Sequence, residues 1–359
     1  MAQKKILFTI GSSNQTTQMH RVSTHLQGFD CYFSQHFGKH PWVMFGQKIG
    51  ILDATIIGEK SHFKKAADQY LEHHNLKNDY RGEQFGKQYD MVVLCADILV
   101  PKLARRTKTV FIQEGMIDPP TRWGKVVHFL RMPGYWAFNT QTMGASNIPD
   151  LYCVASEGYK SHFIKMGVTP GKIIVTGIPN YDNAADFIDN DFPHKGYVMV
   201  ATSDIRELFG KEDRVAFIKK CVEIANGRVL LFKLHPNEIY ERAEAEIKGN
   251  APKGTLIFQE GNTNHMIANC DELITQYSTV VYTGLALGKK VHSFFDIDYL
   301  RKMMPVQNAG KSADRIAEVI KGYINFEGSG IAFLKQYKPY WLHEISDRHT
   351  SSERLIQTT

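Results

Sequence analysis

The sequence predicts an α/β protein with two domains, each built around a parallel sheet. Short apolar runs such as 89–95 and 197–201 are typical of strands buried on both faces. Helical patterns separate these runs, and such alternation indicates a parallel sheet with helices on both sides. A chain of 359 residues also exceeds the usual size of one domain. We expect one domain at 1–185, a second at 195–325, and a helical tail at 326–359 that crosses back over the junction.

Each predicted element rests on its apolar pattern and on the residues that bound it. Residues 4–10 form a run that Gly11 ends, and we interpret it as the first strand because it is too short for a signal peptide. The segment 31–57 is predicted only as strand and loop. Further strands are predicted at 89–95, 109–113, 151–155, 172–176, 197–201, 229–232, 255–258 and 290–294. Helices are predicted at 14–26, 62–75, 98–105, 157–166, 217–225, 237–248, 264–269 and 313–323.

The composition is ordinary for a globular protein, with 43% hydrophobic and 22% charged residues. No apolar run approaches the roughly 20 residues that a helix needs to cross a bilayer. The five cysteines are scattered without a Cys-x-x-Cys pair, which indicates reduced thiols in a cytoplasmic protein rather than a disulfide framework or a zinc site. The net charge of +6 suits an anionic small ligand or membrane surface and is too small to indicate nucleic-acid binding.

Polar residues crowd the end of a predicted strand at 229–232. Lys233, His235 and Asn237 follow it, and ligands of open α/β sheets bind beyond the carboxyl ends of strands. Pro236 lacks a backbone N–H and suits the first turn of the helix predicted at 237–248. We therefore expect the ring of His235 to face a ligand site, although a histidine can also cap or pack at such a turn.

The stretch 273–288 repeats this layout of apolar strand, hydroxyl groups and helix. Ser278 or Thr279 at a helix start can donate to a phosphate, which the free backbone N–H groups also attract. Serine and threonine are equally common as simple N-caps. Together the two stretches predict a phosphate cradle, which the neighbouring strand-end residues Thr202, Ser203 and Gln276 are expected to join.

The first domain contributes two candidate elements. Glu114, between Gln113 and Gly115, stands at the mouth of a predicted strand, where a general base would be placed, although surface acids are common. The loop of Gly11, Ser12 and Ser13 can bring backbone N–H groups close to a substrate on the acceptor side. It can also be an ordinary turn between strand and helix.

The segment 121–138 interleaves basic residues with aromatic and aliphatic ones. Such a segment can lie in a membrane interface. It can also be a helix whose apolar side faces the core, with a solvated basic edge, and this is the interpretation that we favour. Its aromatic faces could alternatively line an acceptor site for a sugar or a lipid.

Several motifs resemble those of a known enzyme superfamily. The segment CVASEGYKSHFIKMGVTPGKIIVTGIPNYDN is similar to the one before the hinge in UDP-N-acetylglucosamine 2-epimerases and CDP-glycerol glycerophosphotransferases. FKLHPNE resembles the Lys-x-His-Pro element of the CDP-glycerol transferases and the His-Pro motif of bacterial sialyl- and Kdo-transferases. QYSTVVYTGLALGKKV resembles their Ser/Thr motif. Gln113-Glu114-Gly115 is similar to their acidic-acidic-Gly motif, with Gln113 in place of the first acid.

This resemblance implies the GT-B architecture, in which two Rossmann-like domains face each other across a cleft. In those families the acid before glycine is the base that acts on the acceptor hydroxyl, a role that would fall to Glu114. The histidine and hydroxyls hold the phosphates of the donor nucleotide, which would be the task of His235, Ser278 and Thr279, helped by Lys233. Thr202, Ser203 and Gln276 would complete the donor site.

Two departures bear on the substrate. The epimerases' His-x-Glu-Ala-Gly-x-Arg pattern is missing around Glu114, and Tyr282, Thr283 and Gly284 stand where many UDP-sugar enzymes place a ribose-binding glutamate. We therefore expect a CMP- or CDP-linked donor rather than a UDP-linked one. No metal-binding Asp-x-Asp motif is predicted, so a metal-independent reaction without a cofactor is expected.

The sequence thus predicts a cytoplasmic enzyme of surface polysaccharide synthesis. It would transfer a sugar or polyol-phosphate from a nucleotide-activated donor to a glycan or glycolipid acceptor, with a possible peripheral membrane contact through 121–138. The alternatives are an enzyme like the UDP-N-acetylglucosamine 2-epimerases and a GT-B-like protein that binds nucleotide or glycan without catalysis.

Overall fold

The chain forms two compact units, one of residues 1–182 with 310–359 and one of residues 183–309. The computed structural model describes residues 3–35, 62–85, 88–119, 121–130, 132, 134–137, 139–207 and 211–342, without the side chains of 62 and 63. Part of the unpatterned segment 31–57 and the end of the tail therefore lie outside the described residues. We call the two parts unit 1 and unit 2.

Unit 1 is built on a six-stranded sheet in which every strand pair is parallel. The strand order is β2-β1-β3-β4-β5-β6. The strands are β1 (Lys5–Ile10), β2 (Asp30–Gln35), β3 (Met91–Leu94), β4 (Lys108–Ile112), β5 (Leu151–Val154) and β6 (Ile173–Val175). Its helices are α1 (Ser13–Thr24), α2 (His62–His73), α3 (Arg122–Phe129), α4 (Glu157–Met166) and, after unit 2, α10 (Ser312–Asn325) and α11 (Gly330–Gln336).

Unit 2 is built on a five-stranded parallel sheet with the order β11-β10-β7-β8-β9. Its strands are β7 (Val198–Ala201), β8 (Leu230–Lys233), β9 (Leu256–Phe258), β10 (Glu272–Thr275) and β11 (Lys290–His292). Its helices are α5 (Arg214–Ala225), α6 (Tyr240–Asn250), α7 (Thr263–Asn269), α8 (Val281–Ala286) and α9 (Ile297–Met303). The predicted α/β class with two parallel sheets is confirmed.

The core of unit 2 shows why its strands read as continuous apolar runs. Val198 and Val200 of β7 lie in one buried cluster with residues of α5 and α6. Met199 and Ala201, which point to the opposite face, lie in a second cluster with residues of α7. Since a strand alternates its side chains between faces, both faces need apolar residues when helices cover both. Full burial of one such side chain contributes about 1.5–3 kcal/mol.

The chain leaves unit 1 after Asp182 and returns to it at Gly310, and hydrogen bonds join these two positions. The Asp182 carboxylate accepts a hydrogen bond from the Ser312 N–H at 2.7 Å, and the Asp182 carbonyl accepts one from the Gly310 N–H at 3.5 Å. The helix predicted at 313–323 therefore follows the return of the chain and belongs to unit 1 as α10.

Two helices begin or extend differently from our expectation. The helix predicted at 98–105 is only a single 3₁₀ turn, Lys102–Arg105, because Pro101 disfavours helical geometry at the residue before it. The helix predicted at 237–248 begins later, at Tyr240. Among the described residues no helix combines the length and the apolar character that a membrane span requires.

Candidate functional site

The topology of each sheet marks one place where a ligand crevice can form. In unit 1 the chain starts at β1, forms β2 on one side, and then continues as β3 on the other side. In unit 2 it starts at β7, forms β8 and β9 on one side, and then forms β10 and β11 on the other. Ligands of open α/β sheets bind at such reversals, beyond the carboxyl ends of the strands. In unit 1 this point lies at the carboxyl ends of β1 and β3, and we call it the β1/β3 edge. In unit 2 it lies at the carboxyl ends of β7 and β10, and we call it the β7/β10 edge.

Glu114 lies at the edge of unit 1 and is held by the start of α1. The Ser12 hydroxyl donates to Oε1 of Glu114 at 3.1 Å, and the Gln15 side-chain amide donates to Oε2 at 2.8 Å. The same two residues cap α1, since the Ser12 hydroxyl accepts from the Gln15 N–H and the Gln15 side chain accepts from the Ser12 N–H, both at 3.2 Å. The structure thus brings together two of the predicted residues, Ser12 and Glu114.

The environment of Glu114 makes its carboxyl group less acidic than that of a free glutamate. Burial raises the pKa of the carboxyl group above its ordinary value of 4.5, and the hydrogen bonds from Gln15 and Ser12 offset part of this rise. The pKa of the Cys95 thiol is also raised, mainly by burial and further by the charge of Glu114. A carboxylate with a raised pKa is a stronger base at neutral pH than a free glutamate.

Gln113, which replaces an acid of the resembling motif, shapes the backbone beside Glu114. Its side-chain amide donates to the Gly115 carbonyl at 2.8 Å and accepts from the Ala155 N–H at 2.9 Å. The side chain is fully buried. An ionised acid at this position could not make the first of these bonds, because a carboxylate has no N–H or O–H to donate.

The remaining predicted residues of unit 1, Gly11 and Ser13, flank Ser12 in the chain. Gly11 is buried directly after β1, and Ser13 is exposed as the first residue of α1. Their predicted place on the acceptor side remains a prediction.

His235 lies at the carboxyl end of β8 in a turn rather than at a helix start. The Glu238 N–H donates to the His235 carbonyl at 3.0 Å, which closes a β-turn with Pro236 at its second position. The expected place of Pro236 in the first turn of a helix is therefore wrong. The reason is that the Glu238 side chain folds back and accepts from the His235 N–H at 2.9 Å, so this segment cannot yet be helical.

The contacts of the His235 ring select one tautomer. Its Nδ1 accepts from the Asn237 N–H at 3.2 Å, so the neutral ring carries its proton on Nε2. Asp204 Oδ2 lies 3.5 Å from Nδ1, which is too long for a hydrogen bond, and it accepts from the Asn237 side-chain amide at 2.8 Å instead. A half-exposed ring with an Nε2–H is suited to donate to a phosphate oxygen.

A buried network holds this turn in place. Glu238 accepts from the Arg214 guanidinium at 2.5 Å and from the Thr202 hydroxyl. Both charged side chains are almost completely buried, with residue exposures of 3% for Arg214 and 4% for Glu238. We did not anticipate either residue from the sequence, although a glutamate three positions after His235 has the spacing with which a side chain can reach back to a backbone N–H.

The predicted residues at the ends of β7 and β10 are tied to each other. The Gln276 side-chain oxygen accepts from the Ser203 N–H at 3.1 Å, and its amide donates to Glu212. The Ser203 hydroxyl donates to the Tyr277 carbonyl at 3.3 Å. Thr202, Ser203 and Gln276 thus link the strand ends on either side of the reversal in unit 2, and their contact with a nucleotide remains a prediction.

Lys233 contacts the backbone of its own sheet. Its amine donates to the carbonyls of Leu234 at 3.0 Å and Gln259 at 2.7 Å. Burial lowers the pKa of this amine, which the charges of Glu260 and Glu238 partly offset. Lys233 therefore adds positive charge close to the end of β8, while its amine remains bound to these two backbone carbonyls.

Ser278 and Thr279 precede α8, but they are not its N-cap. The helix begins at Val281 after Val280, which makes no side-chain cap, so the expected cap position is wrong. Bonds from the N–H groups of Val281 and Tyr282 to the carbonyls of Ser278 and Thr279 form a turn first. Both hydroxyl residues are half-buried. A Cβ at Gly284 would lie 2.6 Å from Leu273 Cδ2, so α8 packs closely on β10 and fixes this turn.

No family model and no curated protein matches the sequence. The fold resembles a Listeria monocytogenes protein described as a UDP-N-acetylglucosamine 2-epimerase, with a TM-score of 0.58, 14% identity, and coverage of 91% of this chain and 98% of that one. S. aureus MnaA, solved with UDP, gives a TM-score of 0.57, 14% identity, and coverage of 90% and 97%. The Neisseria meningitidis UDP-GlcNAc 2-epimerase bound to UDP-GlcNAc gives a TM-score of 0.55, 13% identity, and coverage of 88% of this chain and 99% of that one.

The chain has the GT-B fold. The prediction of two Rossmann-like domains is therefore confirmed. Sequence identities this low establish the GT-B fold and leave the reaction to be argued from the residues of this chain. In this GT-B chain the predicted residues fall at the two reversal edges, with Ser12 and Glu114 in unit 1 and Thr202, Ser203, His235 and Gln276 in unit 2.

Two Asp-x-Asp triplets occur in this GT-B chain, at 189–191 and 296–298. Asp296 caps α9 by accepting from the Tyr299 N–H at 2.7 Å, and Asp298 pairs with Arg301 at 3.0 Å. In the part of the chain that the structure describes, no group of three or more His, Cys, Asp or Glu side chains could hold a metal ion. Metal independence remains a prediction.

Proposed function

We propose that the protein is a metal-independent transferase that moves a sugar or polyol-phosphate from a nucleotide-activated donor to a hydroxyl of a glycan or glycolipid. The observation that carries this proposal is Glu114, a carboxylate with a raised pKa at the β1/β3 edge, held by the Ser12 hydroxyl and the Gln15 amide. We place the reaction in the cytoplasm and in surface polysaccharide synthesis, as the motifs imply.

Glu114 acts as the general base. Its hydrogen bonds from Ser12 and Gln15 fix the orientation of both carboxylate oxygens, and its raised pKa increases its affinity for the proton of an attacking hydroxyl. A positioned general base contributes about 10²–10⁴-fold to a rate. Gly11 and Ser13 flank the capping residue Ser12 and are the nearest chain positions from which an acceptor could be contacted.

Unit 2 holds the donor. The Nε2–H of His235 and the hydroxyls of Ser278 and Thr279 donate to the phosphate of the departing nucleotide, and Lys233 adds positive charge at the strand end. Donors fixed in advance stabilise the charge that develops on a leaving group. The neighbours from S. aureus and N. meningitidis were solved with UDP and with UDP-GlcNAc, which supports a nucleotide-activated substrate. We retain a CMP- or CDP-linked donor as the proposal.

A second candidate is a UDP-N-acetylglucosamine 2-epimerase. One observation favours this candidate: solved structures described as UDP-N-acetylglucosamine 2-epimerases align with 88–91% of the chain. Against it stands the missing His-x-Glu-Ala-Gly-x-Arg pattern around Glu114. The third candidate is a protein that binds nucleotide or glycan without catalysis.

A thermal-shift series separates the donors, because a ligand that binds only the folded state raises its stability with occupancy. The protein would be titrated with CMP, CDP, UDP and GDP, and we expect the cytidine nucleotides to give the largest shift. His235→Ala should abolish that shift, while Asn226→Ala, at the C-cap of α5, should retain it. A response to none of the four nucleotides would contradict the proposal.

An assay without acceptor separates the reactions. Incubation with UDP-N-acetylglucosamine alone, followed by NMR of the sugar, would reveal epimerisation, which a transferase does not catalyse. Turnover of that substrate alone would favour the second candidate. If nucleotide binds and a panel of glycan and glycolipid acceptors gives turnover that Glu114→Gln abolishes, the transferase is supported; binding without any turnover would favour the third candidate.

A further inference from the structure

Helix α3 turns its apolar side chains away from the protein. Phe129 is 84% exposed, Leu130 is 59%, Trp123 is 45% and Val126 is 41%. Only Gly124 and Val127 of this helix are buried. The favoured expectation that the aromatic side of 121–138 packs into the core is therefore wrong for α3, and Arg131 and Phe138 lie outside the described residues. We call the side chains of Trp123, Val126, Phe129 and Leu130 the α3 outer face.

The α3 outer face is one contiguous strip. On a helix that turns by about 100° per residue, its members span about 120°, roughly opposite Gly124, and Val127 borders this sector beside Trp123. Contiguous exposed apolar side chains on a helix mark an interaction site more strongly than scattered ones do.

The packing of α3 prevents the helix from rotating to bury this strip. A Cβ at Gly124 would lie 1.6 Å from the Gln141 side-chain oxygen, so the backbone of α3 contacts that side chain directly. Gln141 in turn accepts from the N–H of Thr121, the N-cap residue, at 2.7 Å. The Trp123 indole N–H donates to the Trp136 carbonyl at 2.8 Å, which orients the exposed ring.

The charged side chains on α3 itself, Arg122 and Lys125, are both positive, while Asp118, before the helix, accepts from the Thr140 hydroxyl at 2.7 Å. Arg122, Lys125 and His128 are exposed on the same helix, and the sequence from 119 to 149 contains no acidic residue. The chain as a whole carries +6. An apolar strip flanked by basic residues and free of acids matches a surface that presents acyl chains beneath negative headgroups.

We propose that the α3 outer face docks the protein on an anionic lipid bilayer. Phe129, Leu130, Trp123 and Val126 enter the boundary between headgroups and acyl chains, and Arg122 and Lys125 contact the headgroup phosphates. The proposal concerns unit 1 alone and does not depend on the reaction proposed above.

A second copy of the chain fits this face less well. In a symmetric dimer the same patch meets itself, so Arg122 and Lys125 of both copies would be gathered in one interface without acidic partners from α3. The described helix of eight residues is also only about 12 Å long, which is small beside the roughly 800 Å² that each partner buries in a stable interface.

Vesicle binding tests the proposal. Wild-type protein would be sedimented with phosphatidylcholine vesicles and with vesicles that contain phosphatidylglycerol, at low and at physiological salt. We expect binding to the anionic vesicles that weakens as salt rises, because salt screens the headgroup charge. Lipids brominated near the headgroup should quench Trp123 fluorescence, identified as the part of the signal that Trp123→Phe removes.

Matched variants separate the two contributions. Phe129→Ser with Leu130→Ser should weaken binding by about ten-fold or more, since the apolar area no longer inserts. Lys125→Gln should weaken it by about five-fold, and only on anionic vesicles. Ile188→Ser with Ile239→Ser, which removes two exposed apolar side chains of unit 2 at 64% and 54% exposure, should have no effect.

Three outcomes would overturn the proposal. One is no sedimentation of the wild type with anionic vesicles at low salt. Another is equal binding by the wild type and the Phe129→Ser, Leu130→Ser variant when circular dichroism shows both to be folded. The third is concentration-dependent dimerisation, measured by light scattering, that this variant abolishes, because the strip would then be an interface between copies.

Discussion

Glu114 combines two effects that act on its pKa in opposite directions. Burial raises the pKa, and the donors Gln15 and Ser12 lower it. Because these donors are also the capping residues of α1, the geometry of a helix start controls the acidity of the proposed base. Changes at single residues should therefore be visible in pH dependence before they are visible in the fold.

Ser12→Ala removes one donor to the Glu114 carboxylate. The pKa of Glu114 should rise further, so the acidic limb of the profile of kcat/KM against pH should move to higher pH. Loss of the cap should also cost about 1 kcal/mol of stability. Ser13→Ala, next to it and exposed, is the control that should leave the limb in place. An unchanged limb in Ser12→Ala would show that Glu114 is not the titrating base.

Glu114→Gln should abolish transfer and stabilise the protein. The folded state binds the Glu114 proton more tightly than the unfolded chain does, so ionisation of this group costs stability as pH rises above 4.5 and through the raised pKa. A neutral glutamine avoids that cost at pH 7, while the rate should fall by about 10²–10⁴-fold. Melting curves at pH 5 and pH 8 would measure this, and a lower melting temperature for the variant at pH 8 would contradict the assignment.

At the scale of elements, the His-Pro turn shows how distant residues decide local structure. Ser156 and Gly167 bound α4 with a side-chain cap and a left-handed residue, and the predicted bounds 157–166 agree with Glu157–Met166 because both signals are local. The helix after Pro236 starts later than expected because Glu238 is bound by Arg214 and Thr202, which come from a different helix and strand. A pattern in the chain does not contain those contacts.

The same limit applies to α3 and to the end of β10. Hydrophobic periodicity shows that one side of α3 is apolar, but only the packing of Gly124 against Gln141 determines that this side faces outward. Near Ser278, the sequence predicts strand and hydroxyl groups correctly, whereas the delayed start of α8 follows from a turn closed by backbone bonds to the carbonyls of Ser278 and Thr279, with the Val280 N–H donating to the Ser278 hydroxyl at 3.5 Å. Side-chain chemistry therefore identified the strand ends better than the helix starts.

Glu238→Gln should disrupt the turn that presents His235. Removal of this charge leaves the buried Arg214 guanidinium with Glu212, at 3.0 Å, as its remaining carboxylate partner, so the loss should stay below the roughly 3–5 kcal/mol that a fully unpaired buried charge costs. The nucleotide-induced thermal shift should be lost as well, because the turn no longer fixes the imidazole. Differential scanning fluorimetry with and without CDP measures both quantities.

A double variant distinguishes stability from positioning at this turn. Arg214→Met with Glu238→Leu replaces this pair by apolar side chains and leaves Glu212 with Arg206, at 3.4 Å, and the Gln276 amide, so it should recover part of the stability. It leaves the His235 N–H without its side-chain acceptor, so the CDP shift should remain absent. A double variant with a normal CDP shift would show that Glu238 does not position His235.

At the scale of the whole molecule, two parallel sheets of six and five strands account for the likeness to nucleotide-sugar enzymes over nearly the full chain. The sheets were predictable because runs buried on both faces are conspicuous in a sequence. The return of the chain into unit 1 was not, because no residue pattern marks which sheet α10 packs against. Stability of the molecule in acid should depend on a buried carboxylate at the opposite end of the unit 2 sheet, Glu272.

Glu272→Gln should weaken the protein at neutral pH more than in acid. Burial opposes the charge of Glu272, but hydrogen bonds from Lys290, His292 and Arg228 outweigh it and lower the pKa to about 2. The stabilisation is therefore complete above 4.5 and is lost as pH falls towards 2. We expect a loss of about 2–3 kcal/mol at pH 7, measured by urea unfolding, which vanishes near pH 2. Glu241→Gln, on the exposed side of α6, should show no such pH-dependent difference.

The bond between the Asp182 carboxylate and the Ser312 N–H makes unit 2, the proposed donor-binding part, an inserted domain with adjoining ends. Both of its connections meet the host at adjoining backbone positions, so 183–309 could be excised and the gap bridged by a few glycines without rerouting any strand of the host sheet. If the proposed function is right, grafting a related domain onto the same two junctions would exchange nucleotide preference while unit 1 keeps the proposed base and the proposed lipid-binding helix.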